Sequence, residues 1–134
     1  MRAAVQAFAA CAAAVAIVAA PLGRSAAPGP EAGVAIYSRC AACHALAYDR
    51  TGPRHCGLFG RRAGSVPGFE YSDAMKKSGI VWNEATLDRF LADPLGTVPG
   101  TAMGYAGVKD SKERADLIAY LKAAGETAAC RSAR

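Results

Sequence analysis

Two cysteines and a histidine stand in the run Cys40-Ala41-Ala42-Cys43-His44, a C-x-x-C-H pattern. That spacing presents two thiols to the two vinyl groups of one haem and sets an imidazole beneath its iron, the attachment pattern of a covalent c-type haem. Other chemistries fit less well. A thioredoxin-like redox pair needs a βαβ setting, whereas Val34-Ala35-Ile36-Tyr37 before the run and Ala45-Leu46 after it read as helical. A zinc site needs a second ligand pair at matching spacing, and neither His55 nor Cys56 supplies one.

An iron held by His44 in an electron carrier calls for a sixth ligand, and the choices are Met75, Met103, His55, a lysine or none. Met75 lies in Tyr71-Ser72-Asp73-Ala74-Met75-Lys76-Lys77, a short helix in which methionine serves as core filling. Met103 lies in Val98-Pro99-Gly100-Thr101-Ala102-Met103-Gly104-Tyr105, where proline and glycine forbid a long helix and favour an extended loop. A thioether on such a loop can be laid against iron, so Met103 is the favoured ligand. His55 follows His44 closely and sits beside Pro53-Arg54, which keeps it on the side of His44.

The elements that must position these groups are helical. A short helix is expected over residues 32–41. Over 84–93, Leu87, Phe90 and Leu91 fall at i, i+3 and i+4 on one face. Over 110–124, Leu117, Ile118 and Leu121 repeat that spacing, with acids early and Lys122 late as the helix dipole favours. Gly125 is the expected stop. No alternating strand pattern occurs, so the fold class is all-α, with four to five helices joined by glycine and proline loops.

Before these elements, Met1-Arg2 opens a run from Ala3 to Ala20 without charge, which reads as a secretory signal peptide within residues 1–27, cut somewhere between 20 and 27. A retained membrane anchor is the alternative, since about 18 residues approach the length of a span. Residues 28–32 complete a Pro/Gly/Ala-rich linker, leaving 33–134 as the folded domain. The full chain of 134 residues carries a net charge of +5, and loss of Arg2 and Arg24 would leave 14 basic against 11 acidic residues, or +3. That mild basicity gives no reason to invoke nucleic acid, and the length excludes a multidomain enzyme. Export to an oxidising compartment permits both cysteine pairing and covalent cofactor attachment.

From Thr51 to Ala123 the chain resembles the class I cytochromes c of mitochondria and bacterial periplasms. The matching stretches are Thr51-Gly52-Pro53, Gly57-Leu58-Phe59-Gly60-Arg61, Pro67-Gly68-Phe69-Glu70-Tyr71, Gly79-Ile80-Val81-Trp82, Pro99-Gly100-Thr101-Ala102-Met103 and Asp116-Leu117-Ile118-Ala119-Tyr120-Leu121. The resemblance implies an all-α fold wrapped around one haem c, attached through Cys40 and Cys43 and ligated by His44 and Met103. It also implies that the Pro53 carbonyl accepts a hydrogen bond from His44, and that Arg61, Tyr71 and Trp82 meet the haem propionates. The implied function is one-electron transport between protein donor and acceptor, such as a respiratory complex, a periplasmic dehydrogenase or a terminal oxidase. Six-coordinate iron leaves no place for a small-molecule substrate, so no enzyme is expected. A ligand-binding enzyme or sensor with Met103 detached, and an obligate subunit of a redox complex, are the alternatives.

Against the resemblance stand several departures. Met75 and Phe90 replace an asparagine and a tyrosine common in relatives, which implies a drier haem pocket and a raised potential. The usual Asn-Leu-His after the proline is replaced by Arg54-His55-Cys56, which leaves Cys56 unexplained by haem. Cys130 is equally unexplained, in a tail expected to fray. Since the family places this loop near its C-terminal helix, the resemblance makes a Cys56–Cys130 disulfide the economical expectation. Many relatives dock through lysines ringing the haem edge, but Leu95, Gly96, Thr97 and Ala102 stand at those positions, with Lys76, Lys77, Lys109 and Lys112 near them in sequence. The expected partner contact is therefore apolar.

Overall fold

The computed structural model describes residues 27–133, which contain six helical segments and, as their one extended pairing, an isolated antiparallel bridge between Arg62 and Val81. The leader expected over 1–27 lies outside the described residues but for Ala27, which is exposed. Helix α1 spans Pro30–Tyr37 and begins on a proline at its first turn, where the missing N–H costs nothing, followed by Glu31 near the positive end of the dipole. The linker expected at 28–32 is thus corrected: Gly29 caps the helix and residues 30–32 form its first turn. The helix also stops before residue 41, giving way at Ser38 to the turns that carry the C-x-x-C-H run.

Each of the next four helices is opened by a polar cap. Ser72 accepts from the Met75 N–H at 3.2 Å to start α2, Asp73–Lys77. Asn83 and Thr86 exchange side-chain and backbone bonds at 2.9 Å each, a reciprocal box that starts α3, Glu84–Ala92. Asp93 accepts from the Gly96 N–H to start the single turn of α4, Pro94–Thr97. Asp110 accepts from the Glu113 N–H at 2.8 Å to start α5, Ser111–Gly125. Gly125 is the last residue of α5, as expected; the chain turns at Glu126 and Thr127 and continues into α6, Ala128–Ser132, a helix beyond the four or five expected.

The main packing contact is α1 against α5. Gly33 permits it, since a Cβ there would overlap the Asp116 carbonyl and the Tyr120 side chain. The face of α5 that carries Leu117, Ile118 and Leu121 is buried together with Ile36, Leu87, Phe90 and Leu91 in one core. Across the surface, Arg39 makes a two-pronged pair with Glu113 at 2.7 Å and Arg114 reaches Asp88 at 2.7 Å, joining α5 to the exit of α1 and to α3. The segment 60–63 pairs with 80–82: the Gly60 N–H donates to the Trp82 carbonyl and the Trp82 N–H to the Arg61 carbonyl. The positive φ of Gly60, 78°, allows the turn that leads Arg61 inward. Among the described residues no helix is long and apolar enough to cross a membrane.

Candidate haem site

The C-x-x-C-H run folds as successive tight turns. Cys40 donates its N–H to the Tyr37 carbonyl at 2.8 Å, and the Cys43 and His44 N–H groups both bond the Cys40 carbonyl, at 3.0 and 2.9 Å. One turn of backbone thus sets both thiols and the imidazole along the rim of a single cavity of about 330 Å³. Cys43 is exposed and Cys40 half-buried, neither bonded to another cysteine. Burial raises the Cys40 thiol above its usual pKa.

His44 is oriented from outside the run. Its Nδ1 donates to the Pro53 carbonyl at 2.8 Å, which leaves Nε2 as the unprotonated donor nitrogen. Gly52 bonds the Cys43 carbonyl at 2.7 Å, and a Cβ on it would overlap the His44 ring. Burial lowers the His44 pKa despite the Pro53 bond, so the ring is neutral at neutral pH.

Every other residue singled out for haem binding also lines this cavity: Pro53, Arg61, Tyr71, Trp82 and Met103. Met103 is half-buried on its loop, its N–H bonded to the Thr101 hydroxyl at 3.2 Å. Met75 lines the same cavity, buried, from α2. Most of the remaining wall is apolar, with Leu58, Leu87, Phe90, Leu91 and Leu117 among its members.

The fit of this cavity to haem rests on Arg61. Its Nη1 and Nη2 donate to the Cys56 and Arg54 carbonyls at 3.1 and 3.0 Å, but its buried Nε has no partner among the described residues. A buried guanidinium N–H without an acceptor is costly, and a haem carboxylate supplies the charge and the acceptor it lacks. Tyr71, whose phenol is raised by burial and lowered by the adjacent Arg61, stands beside it. Two thiols, a donor imidazole, a thioether and an orphaned guanidinium around an apolar cavity are a donor set that fits one covalent haem.

Two lining residues, His55 and Tyr37, meet in a contact that no motif in the sequence indicated. His55 lies on the side of His44, and their rings stack with centroids 4.3 Å apart and planes 20° apart. Tyr37 shares a 3.1 Å hydrogen bond with His55 Nδ1. Burial, helped by His44 and Arg61, pushes the His55 pKa down to about 3, and burial pushes the Tyr37 phenol up to about 12. No spacing rule joins Tyr37 to His55; only the packing of α1 against the loop does. Cys56, next in sequence, meets Cys130 on α6: both are buried, their Cα atoms 4.9 Å apart and their sulfurs within bonding distance.

Comparison with known proteins points to the same cofactor. The family model for cytochrome c matches residues 30–125. A cytochrome c2 of Rhodoplanes tepidamans is 47% identical over 98 residues, covering 71% of this chain and 92% of that protein. A cytochrome c2 of Blastochloris viridis is 42% identical over 109 residues, covering 79% and 86%. Among solved structures, cytochrome cH from Methylobacterium extorquens superposes with a TM-score of 0.69 at 43% identity, covering 71% of this chain and 98% of that one. The chain belongs to the cytochrome c family as a class I member, a haem-based electron carrier rather than an enzyme, holding one haem c covalently through its C-x-x-C-H motif.

Proposed function

We propose that this carrier works in the periplasm with His44 and Met103 as the two axial ligands of its haem iron, passing one electron at a time between redox proteins. The observation that carries the ligand pair is the Nδ1 bond of His44 to the Pro53 carbonyl at 2.8 Å, which reserves Nε2 for the metal, within a cavity that Met103 also lines. Bound haem supplies the ferrous–ferric couple. The chain's own part is to hold the ligands and exclude water: Pro53 fixes the His44 tautomer, Arg61 with Tyr71 and Trp82 receives the propionates, and the apolar wall keeps the pocket dry. Two ligands fixed by separate segments leave little to rearrange when the charge on iron changes.

Export by residues 1–27 and a Cys56–Cys130 disulfide belong to the same reading, since both haem attachment and cysteine pairing suit an oxidising compartment. The donor and acceptor are a respiratory complex, a periplasmic dehydrogenase or a terminal oxidase. Exposed Leu95 and Ala102 favour contact through small and apolar groups. Of the lysines near these positions in sequence, Lys112 is bonded to Asp116 at 2.6 Å and Lys109 to the Ala92 carbonyl at 2.7 Å.

An optical spectrum with redox titration of the purified mature protein tests the ligands. The Fe–thioether charge-transfer band is expected at neutral pH, lost in Met103→Ala and kept in Met75→Ala. A band surviving Met103→Ala would reject Met103, and its absence from the wild-type protein would favour an open-iron enzyme or sensor.

A further inference from the structure

We propose that His55 is a positioning residue for the haem's proximal ligand, a flat aromatic shelf, held by Tyr37, that sets the plane of the His44 ring. The inference rests on His44 being an axial ligand. An imidazole bonded to metal through Nε2 can still turn about that bond, and its hydrogen bond to the Pro53 carbonyl is a restraint from one atom only. A ring stacked at 4.3 Å and 20° adds a restraint of another kind, because turning His44 would drive its edge into the His55 face.

The shelf is itself anchored. The His55 N–H is shared between the Ala45 and Leu46 carbonyls, both at 3.1 Å, directly after His44 in sequence. Tyr37 bonds His55 Nδ1 and meets its ring edge-on, with centroids 5.7 Å apart at 64°. Tyr37 rests in turn on Tyr120 of α5, centroids 5.0 Å apart. The orientation of His44 is thereby coupled to the α1–α5 packing. A branched aliphatic side chain at position 55 would fill the volume, yet offer neither a flat face nor a partner for the Tyr37 hydroxyl.

The orientation of the axial imidazole is read by the paramagnetic NMR shifts of the haem methyl groups in the ferric protein. His55→Leu is expected to rearrange the order or spread of these shifts while the Fe–thioether band persists, and His55→Phe, which restores a stacked ring, to return them toward wild type. Tyr37→Phe keeps the packing and deletes one hydroxyl, so it carries the test even if the leucine variant fails to assemble; a smaller rearrangement is expected. Wild-type shifts in His55→Leu or in Tyr37→Phe would overturn the inference, as would His55→Phe shifts no closer to wild type than those of His55→Leu. A wild-type protein whose spectrum shows no low-spin histidine ligation would overturn the ligand assignment first, and this inference with it.

Discussion

Asp116, on the last long helix, accepts a hydrogen bond at 2.9 Å from the N–H of Gly29, the residue that caps the first. Gly29 has no side chain to serve the start of α1, and a carboxylate from α5 brings negative charge to that helix's positive end. The bond to Lys112 at 2.6 Å, and then the Gly29 N–H, hold the Asp116 carboxyl below its ordinary pKa of 3.8. A depressed folded-state pKa contributes stability that is present above the unfolded value and lost as pH falls through the folded one. Asp116→Asn should therefore be less stable than wild type at neutral pH, with the difference closing below about pH 3.8. Denaturant unfolding across that range checks it; a gap that stays constant with pH would count against the linkage.

Cys56 and Cys130 are separated by 74 residues. Closing a loop of that length contributes roughly 4 kcal/mol by chain entropy. Alkylation without reductant should label neither cysteine, and Cys130→Ser should lower the unfolding free energy by about that amount. Two labelled thiols in mass spectrometry would exclude the bond.

Phe90 is 5% exposed and packs against Trp82 with centroids 5.1 Å apart, while Met75, 8% exposed, lines the same cavity. Both leave the haem wall without a polar group at their positions, which disfavours the added charge of ferric iron. Phe90→Tyr should lower the reduction potential by about 20–60 mV, the electrical equivalent of a hydrogen bond of ~0.5–1.5 kcal/mol at ~59 mV per 1.4 kcal/mol. Electrochemistry decides: an unchanged or higher potential in the variant defeats the explanation.

Leu95, in α4, is 51% exposed, and the lysines nearest Met103 in sequence, Lys109 and Lys112, are bonded within the chain. Electron exchange with a physiological acceptor should slow by less than about tenfold as the Debye length shrinks from ~30 Å at 0.01 M salt to ~8 Å at 0.15 M. Stopped-flow rates across that range measure it, and a steeper fall would point to electrostatic docking.

The features legible in the sequence are those that depend on neighbours along the chain. The C-x-x-C-H spacing is local geometry, and it named Cys40, Cys43 and His44 without any fold. Apolar periodicity located α3 and α5 within a residue or two, because a helical face is a short-range property. Pro99 and Gly100 marked the Met103 loop for the same reason. Periodicity failed at the ends: α1 begins in what composition made a linker, because Asp116, 87 residues away, serves its cap. The tail beyond Gly125 is helical with Cys130 fully buried, because it lies against the loop that carries Cys56.

By itself, then, the sequence determined the cofactor, its attachment and the all-α class, since covalent spacing and helical faces are written within a few residues of each other. Tertiary structure alone decided that His55 stacks on His44, that Tyr37 holds His55, and that Arg61 turns an unpartnered Nε into the cavity wall. Those relationships join segments whose approach is set by how α1 packs on α5 and how the proximal loop folds beneath them. No periodicity encodes such an approach, because it is a property of the whole chain closing on itself around one site.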